Sequence, residues 1–144
     1  MYADFSEIVW GSNKYLESVK LRAEILRKPL GLKFSRIELE EEKKQHHFIG
    51  QVKNKIIAVL LLEPKANGII KMRQVAVHQQ YQNQNIGSRL VFFAESFAKE
   101  SKYGRVILHA RKPAIPFYQK LAYQVEGNSF LELGIQHFFM WKEL

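Results

Sequence analysis

Residues 75–95, VAVHQQYQNQNIGSRLVFFAE, change from a strand pattern to a helix pattern within a few positions, and this corner limits the folds open to the chain. VAV continues an apolar strand, whereas Ile86, Leu90, Ala94 and Phe97 recur at the three- and four-residue spacing of an amphipathic helix. Between them lie several amides and a single glycine, Gly87, in place of an ordinary turn. The pattern predicts a strand that leads directly into a helix, as in α/β proteins.

The amide-rich loop has the features of an anion site. A helix N-terminus leaves its first N–H groups unpaired and carries a partial positive charge, which favours phosphate. Gly87 lets a ligand approach the backbone closely, and Asn85 is a residue type that tolerates positive φ, so the loop can curl around an anion. A plain turn in which Gly87 serves only packing is the alternative. The sequence contains neither GxGxxG nor GxxxxGK[ST], which argues against dinucleotide and P-loop sites.

The other elements follow from periodicity and turn residues. Strands are predicted near Ile8–Trp10, at 46–52, 55–64, 68–77 and 105–110, and finally at Gln124–Phe130 and His137–Lys142. Helices are predicted from a cap at Ser12 or Asn13 to near Pro29, in the charged segment 35–45, after the amide loop, and within 112–123. The predicted fold is α/β, a single domain of residues 1–144 whose middle hairpins are antiparallel.

Composition excludes several classes of function. The chain has 144 residues, enough for one packed core, and no cysteine, so disulfides, thiolate nucleophiles and zinc–thiolate sites are excluded and no metal site is expected. No apolar run reaches the ~18–20 residues that span a bilayer, and the acidic N-terminal segment does not resemble a signal peptide, so we expect a cytoplasmic protein. The net charge of +8 does not by itself identify a partner, but the basic residues are scattered without a block of five, which is typical of a solvated surface and argues against nucleic acid.

Two stretches resemble the GNAT superfamily of N-acetyltransferases. The loop QNQNIG is similar to the acyl-CoA signature Gln/Arg-x-x-Gly-x-Gly/Ala: Gln82 and Gly87 match, and Asn85 stands where the first glycine is usual. ARKPAIPFYQKLAYQVEG is similar to the pattern Asn-x-x-Ala-x-x-Phe-Tyr-x-Lys-x-Gly-Phe. Ala114, Phe117, Tyr118 and Lys120 match that second pattern. Element order extends the resemblance to nearly the whole chain.

This resemblance implies a mostly antiparallel mixed sheet, flanked by helices, whose fourth and fifth strands splay apart around acetyl-CoA. The pantetheine arm would pair with the backbone of the fourth strand, and the pyrophosphate would rest on N–H groups of 84–88. The implied cofactor-binding residues are Val75, Ala76, Val77, Gln82, Asn83, Gln84, Asn85, Ile86, Gly87, Ser88, Ala114, Phe117 and Lys120. The implied activity is acetyl transfer from acetyl-CoA to a primary amine. A non-catalytic acyl-CoA sensor or scaffold is the alternative, and a homodimer is the default assembly.

The resemblance also implies catalytic roles. Tyr118 would protonate the departing thiolate, or it is simply a core aromatic residue; a backbone N–H near Val77 would stabilise the oxyanion. Histidine titrates nearest to the pH at which a base must deprotonate an amine, so we expect His137, beside the loop of the last hairpin, to be the base. Glu132 would replace it if burial raised its pKa, or would orient it. His109 could serve the same role or pack in the core.

The acidic run ELEEE at 38–42 has two interpretations. It lies in a segment that helps to form the acceptor side in this family, where it would attract a cationic amine. Alternatively, it is a solvated helix face with charge pairs to Lys43 and Lys44.

Overall fold

Eight strands form one open sheet that is antiparallel except at its centre. The structure is a computed structural model, and it describes residues 2–144. The strands are β1 (Asp4–Ile8), β2 (His46–Val52), β3 (Lys55–Pro64), β4 (Ile69–Val77), β5 (Arg105–Arg111), β6 (Gln124–Val125), β7 (Phe130–Glu132) and β8 (Ile135–Glu143). Their order across the sheet is β1-β2-β3-β4-β5-β8-β6, with β7 also pairing with β8. The predicted mixed, mostly antiparallel α/β fold is confirmed.

Four α-helices flank the sheet: α1 (Asn13–Arg22), α2 (Arg36–Glu41), α3 (Ile86–Glu100) and α4 (Ile115–Lys120). Ser12 caps α1 by accepting a hydrogen bond from the Tyr15 N–H, and Ser35 forms a capping box with Glu38 at the start of α2. After α1 the chain continues through a π-helical turn, Ala23–Arg27, and a 3₁₀ turn, Lys28–Leu30. The α-helix itself ends at Arg22, and the two turns that continue it end at Leu30, next to the predicted stop at Pro29.

The core lies on both faces of the sheet because β3 is apolar at nearly every position. Its residues 56–62 are all buried, as expected for a central strand covered on both sides. One core cluster packs under α3 and includes Phe48, Leu90 and Leu108, and a second packs under α1 and includes Leu21 and Ile49. These two core clusters pack on the opposite faces of β3 and β4 and hold the two strands in place.

The parallel neighbours β4 and β5 separate halfway along their length. They pair only from Ile69–Met72 to Arg105–Leu108, although β4 stays paired with β3 as far as Val77 and β5 stays paired with β8 as far as Arg111. Gln74, at φ 57°, lies where the β3–β4 register shifts, and such a bulge bends its strand. The predicted splay of the fourth and fifth strands is thus confirmed, and it opens a gap through the sheet.

Two predicted strands are wrong in their limits. The first strand is Asp4–Ile8 rather than Ile8–Trp10: Trp10 lies in a turn and its indole N–H donates to the Leu39 carbonyl at 2.9 Å. The predicted strand Gln124–Phe130 is two short strands, β6 and β7, because Gly127 breaks it with a left-handed φ of 79°.

Candidate active site

The amide loop borders a cavity of about 590 Å³ that lies between β4, the start of α3 and α4. We call it the loop cavity. Every residue predicted to bind the cofactor lines it except Gln84, whose side-chain amide instead donates to the Gln80 carbonyl at 3.2 Å. Tyr118 and three further residues, Ile25, Tyr81 and Leu121, complete the lining. The last three were not predicted, because Ile25 lies outside the quoted stretches and Tyr81 and Leu121 occupy positions that the family patterns leave unspecified.

The N-terminus of α3 presents free backbone donors to this cavity. Its N-cap, Asn85, has the predicted left-handed conformation (φ 62°), and Asn83 is left-handed as well (φ 63°). The Asn85 side chain makes no capping hydrogen bond, so it leaves the first N–H groups of the 15-residue helix open. Ile86, Gly87 and Ser88 line the cavity at this point, and the arrangement suits an anion.

Gly87 also lies at a close packing contact. A Cβ atom at this position would lie 3.3 Å from Phe117 Cζ and 3.5 Å from Val77 Cγ2. The glycine therefore lets α3 approach both α4 and β4, and the packing interpretation of Gly87 holds alongside the anion interpretation.

The wall of the loop cavity opposite α3 is the free edge of β4. Ala76 pairs with Val59 and Val77 with Ala58 on the β3 side, while the divergence of β5 leaves the other edge of β4 without a neighbouring strand. One group near this edge is engaged: the Val77 carbonyl accepts a hydrogen bond from the Gln82 side chain at 2.9 Å. An extended ligand could pair with the backbone that remains.

A second cavity, of about 190 Å³, lies on the other side of the gap and is called the histidine cavity. Its walls come from β4, β5, the π-helical turn after α1 and the β7–β8 hairpin. All three predicted catalytic residues, Tyr118, Glu132 and His137, line it. Val75, Ala114 and Tyr118 line both cavities, so the two spaces meet at Tyr118.

Tyr118 is a buried residue at this junction. Its side chain is 8% exposed and packs edge-on against Phe117 and Tyr123, with ring centroids 5.0 and 5.8 Å away. Burial raises the pKa of the Tyr118 hydroxyl, so the hydroxyl keeps its proton over the ordinary pH range. The residue belongs to the core and at the same time holds a proton beside both cavities.

Two histidines share the carboxylate of Glu132. His109 Nδ1 lies 2.9 Å from Glu132 Oε1, and His137 Nε2 lies 3.6 Å from Glu132 Oε2. Burial opposes the ionised form of Glu132, but the hydrogen bond and charge of His109, with the charges of His137 and Lys71, hold the pKa of the carboxyl below its usual value. The condition for Glu132 to act as the base, a pKa raised by burial, is therefore not met.

Part of the acidic run 38–42 is neutralised by ion pairs within the protein. Glu38 makes a forked ion pair with Arg27, and the hydrogen bond from Arg27 lowers the pKa of Glu38 to about 2. Glu42 is buried against Arg22, which is fully buried itself. Within residues 2–144, Lys43 and Lys44 make no ion pair with the run.

Sequence reasoning missed Arg73 and Arg111 in the histidine cavity. Arg111 stands where the family pattern has asparagine, and this substitution was the available signal. Arg73 had no such signal, because it is one of three polar residues in β4, with Lys71 and Gln74, and belongs to no motif.

Across residues 2–144, the helices are too short or too polar to span a membrane.

Comparisons with known proteins agree with this geometry. The family model described as "Acetyltransferase (GNAT) domain" matches residues 31–144. The uncharacterized protein YyaT of Bacillus subtilis is 34% identical over 74 residues, which are 51% of this chain and 50% of YyaT. The chain thus spans about half the length of the curated relatives that it matches.

Solved structures of low sequence identity share the whole fold. An acyl-CoA N-acyltransferase from Pseudomonas aeruginosa superimposes with a TM-score of 0.83 at 19% identity, covering 98% of this chain and 99% of that one. A GNAT family acetyltransferase from Elizabethkingia anophelis, with acetyl-CoA bound, gives 0.77 at 18% identity over 99% and 98% of the two chains. The family match extends over most of the sequence, and the chain therefore belongs to the GNAT acetyltransferase family.

Proposed function

We propose that this chain, as a single domain of residues 1–144, transfers the acetyl group of acetyl-CoA to a primary amine. The observation that carries the proposal is the meeting of two cavities at Tyr118, inside the gap between β4 and β5. A cofactor entering from one side of the gap and an acceptor entering from the other would meet at this buried tyrosine. Family membership and the acetyl-CoA bound to the similar Elizabethkingia protein support this assignment.

The loop cavity suits coenzyme A. Its free donors at the α3 N-terminus would hold the pyrophosphate, with the exposed Lys120 contributing charge, and the open edge of β4 from Val75 to Val77 would pair with the pantetheine amides. Bound acetyl-CoA would supply a thioester carbon for attack and a thiolate leaving group. Its acetyl end would lie towards Tyr118, where the cavities meet.

The histidine cavity would hold the amine and remove its proton. His137 Nδ1 lies 2.8 Å from the Ile135 carbonyl, which fixes the proton on Nδ1 and leaves Nε2 as the acceptor. A proton taken up at Nε2 would be stabilised by Glu132, 3.6 Å away. His109 holds the other oxygen of Glu132 and so positions the carboxylate.

The atoms and charges of the proposed reaction balance when one proton is released to solvent. The amine loses a proton to His137, its nitrogen forms a bond to the acetyl carbon, and the carbon–sulfur bond breaks. Tyr118 gives its proton to the sulfur and regains one from the reacting nitrogen, directly or through water. The products are an N-acetyl amide and coenzyme A with a free thiol.

The test combines binding and turnover. Acetyl-CoA at a hundredfold excess over Kd should stabilise the protein by about 2.7 kcal/mol, measured as a rise in melting temperature. A panel of amines should then release free thiol at a rate that depends on protein concentration. Absence of both the thermal shift and thiol release would reject the proposal, whereas binding without turnover of any amine would leave an acyl-CoA binding protein.

A further inference from the structure

The charges around the histidine cavity bear on which amine the protein accepts, a question that rests on the proposed function. Three arginines line the cavity: Arg27, Arg73 and Arg111. The only carboxylate in the lining is Glu132, and it is already shared by two histidines. The described residues therefore give this cavity an excess of positive charge.

The three arginines differ in how far their charge is compensated. Arg27 is satisfied by the forked ion pair with Glu38 and by stacking on Phe34, with the guanidinium 4.1 Å from the ring centroid. Arg73 donates to the Gln45 side chain at 2.9 Å, and its nearest carboxylate, Glu63, is 4.0 Å away, at the outer limit for an ion pair.

Arg111 has the least compensated charge of the three. Within residues 2–144 it makes no ion pair, and its hydrogen bond is to the Leu26 carbonyl at 3.3 Å. Its side chain is half-buried, so water screens the charge less than at a free surface. A guanidinium in this state is a receptor for an oxyanion, because its planar fork matches the two oxygens of a carboxylate.

Arg73 and Arg111 lie on opposite sides of the gap. Arg73 directly follows Met72, the last residue of β4 that pairs with β5, and Arg111 ends β5 where it faces His137 across the β5–β8 ladder. An acceptor that places its amine near His137 and Glu132 therefore has a cation within the same small cavity for a second group. The cavity of about 190 Å³ is somewhat larger than the ~150 Å³ that holds benzene, which suits the size of a single amino acid.

We propose that the acceptor is a small amine that also carries a carboxylate, of the amino-acid class, and that Arg111 binds the carboxylate with support from Arg73. The alternative of a cationic amine drawn in by the acidic run has less support, since Glu38 and Glu42 are paired with Arg27 and Arg22 and no residue of the run lines the histidine cavity. The chemistry at the amine is unchanged; the arginines select the molecule that carries it.

The experiment compares each standard amino acid with its own carboxamide, which keeps the amine and side chain and removes the negative charge. Free-thiol release should give kcat/KM at least about tenfold higher for the best acids than for their amides. Arg111→Gln should lower kcat/KM for the acids by about 10- to 100-fold, the effect of one charge-assisted hydrogen bond, and bring the ratio of acid to amide towards one. Arg111→Lys should retain part of the preference.

Arg105→Gln is the matched control, because it removes the same charge from the same strand at a half-buried site that lines neither cavity and pairs with Glu143. It should leave the ratio of acid to amide unaltered. Three results would each overturn this inference. The amides could be accepted as well as the acids, no acid could be turned over although acetyl-CoA binds, or Arg111→Gln could leave the ratio of acid to amide unchanged. Transfer to neutral or cationic amines in those cases would leave the proposed function intact, whereas failure to bind acetyl-CoA would reject both.

Discussion

Among residues 2–144, Tyr118 is the one tyrosine that lines both cavities, and its proposed role can be tested by removing a single oxygen atom. We expect Tyr118→Phe to bind acetyl-CoA with nearly unchanged affinity and to lower kcat by about 10²–10⁴, the range for loss of a general acid. The physical reason is that proton donation to sulfur acts in the transition state rather than on binding. Calorimetry gives the affinity, and thiol release gives the rate.

Tyr123→Phe is the control for this variant. Tyr123 is also buried, but its hydroxyl donates to Glu95 at 2.6 Å and it lines neither cavity. It should turn over at the wild-type rate. If Tyr118→Phe does so as well, Tyr118 is a core aromatic and no more.

The base assignment is tested by the pH profile of kcat/KM. A base must be unprotonated, so the rate should rise with pH along an acidic limb, and His137→Gln should abolish that limb. His109→Gln should keep the limb while lowering the rate, because it frees one oxygen of Glu132 without removing the acceptor nitrogen. If the acidic limb is lost in His109→Gln instead, His109 is the base and His137 the positioning residue. If the limb remains in both variants, the amine deprotonates in solvent before it binds.

At the scale of single elements, the contact of α3 with α4 and β4 depends on Gly87. A Val side chain at 87 adds two methyl groups to a Cβ that would already lie 3.3 Å from Phe117, and we expect it to displace the walls of the loop cavity and abolish the acetyl-CoA thermal shift. Gly104→Ala is the control, since a Cβ there meets nothing within 4 Å. An equal shift in wild type and Gly87→Val would remove the α3 N-terminus from the site.

The packing of α1 against the acidic run 38–42 depends on a buried ion pair. Arg22 and Glu42 are 0% and 2% exposed, and Tyr15 also donates to the Glu42 carboxylate at 2.8 Å. Arg22→Met should lower the free energy of unfolding by about 3–5 kcal/mol, because it leaves a buried carboxylate without its partner. Urea unfolding measures the loss; adding Glu42→Leu should restore much of it, and a cost below about 1 kcal/mol would show that the pair is replaceable.

The elements also show which features the sequence can predict. The limits of β2 and β3 follow from apolar runs bounded by turns, and the loop cavity follows from motifs whose residues are neighbours along the chain. β1 was misplaced because its residues DFSEI look polar, and only antiparallel pairing with β2 makes them a strand. The histidine cavity draws on residues as far apart as 26 and 137, so long-range packing had to bring them together.

For the whole molecule, buried titrating groups limit stability at both ends of the pH scale. Burial raises the pKa values of Tyr118 and Tyr123, and also of Tyr15, where the hydrogen bond with Glu42 adds to the effect. Their stabilising contribution is complete below the unfolded pKa near 10 and is lost as pH rises beyond it. Burial lowers the pKa of His47, so its contribution is lost as pH falls below about 6.5.

The free energy of unfolding should therefore form a plateau between about pH 7 and pH 10. Urea titrations across pH 5–11 measure it, with a loss of up to ~1.4 kcal/mol per pH unit for each tyrosine on the alkaline side. Tyr123→Phe should reduce that alkaline slope. A curve that stays flat from pH 9 to pH 11 would contradict the burial of these hydroxyls.

Of the described residues, 2–144, only Val75, Ala114 and Tyr118 line both cavities, and each of the other lining residues belongs to one cavity alone. Under the proposed function, the donor half of the reaction and the acceptor half can diverge separately during evolution. Substitutions in the β7–β8 hairpin or at Arg111 could retarget the protein to another amine while the α3 loop continued to capture the same cofactor. The same division makes the hairpin a natural unit to exchange between relatives when a new specificity is wanted.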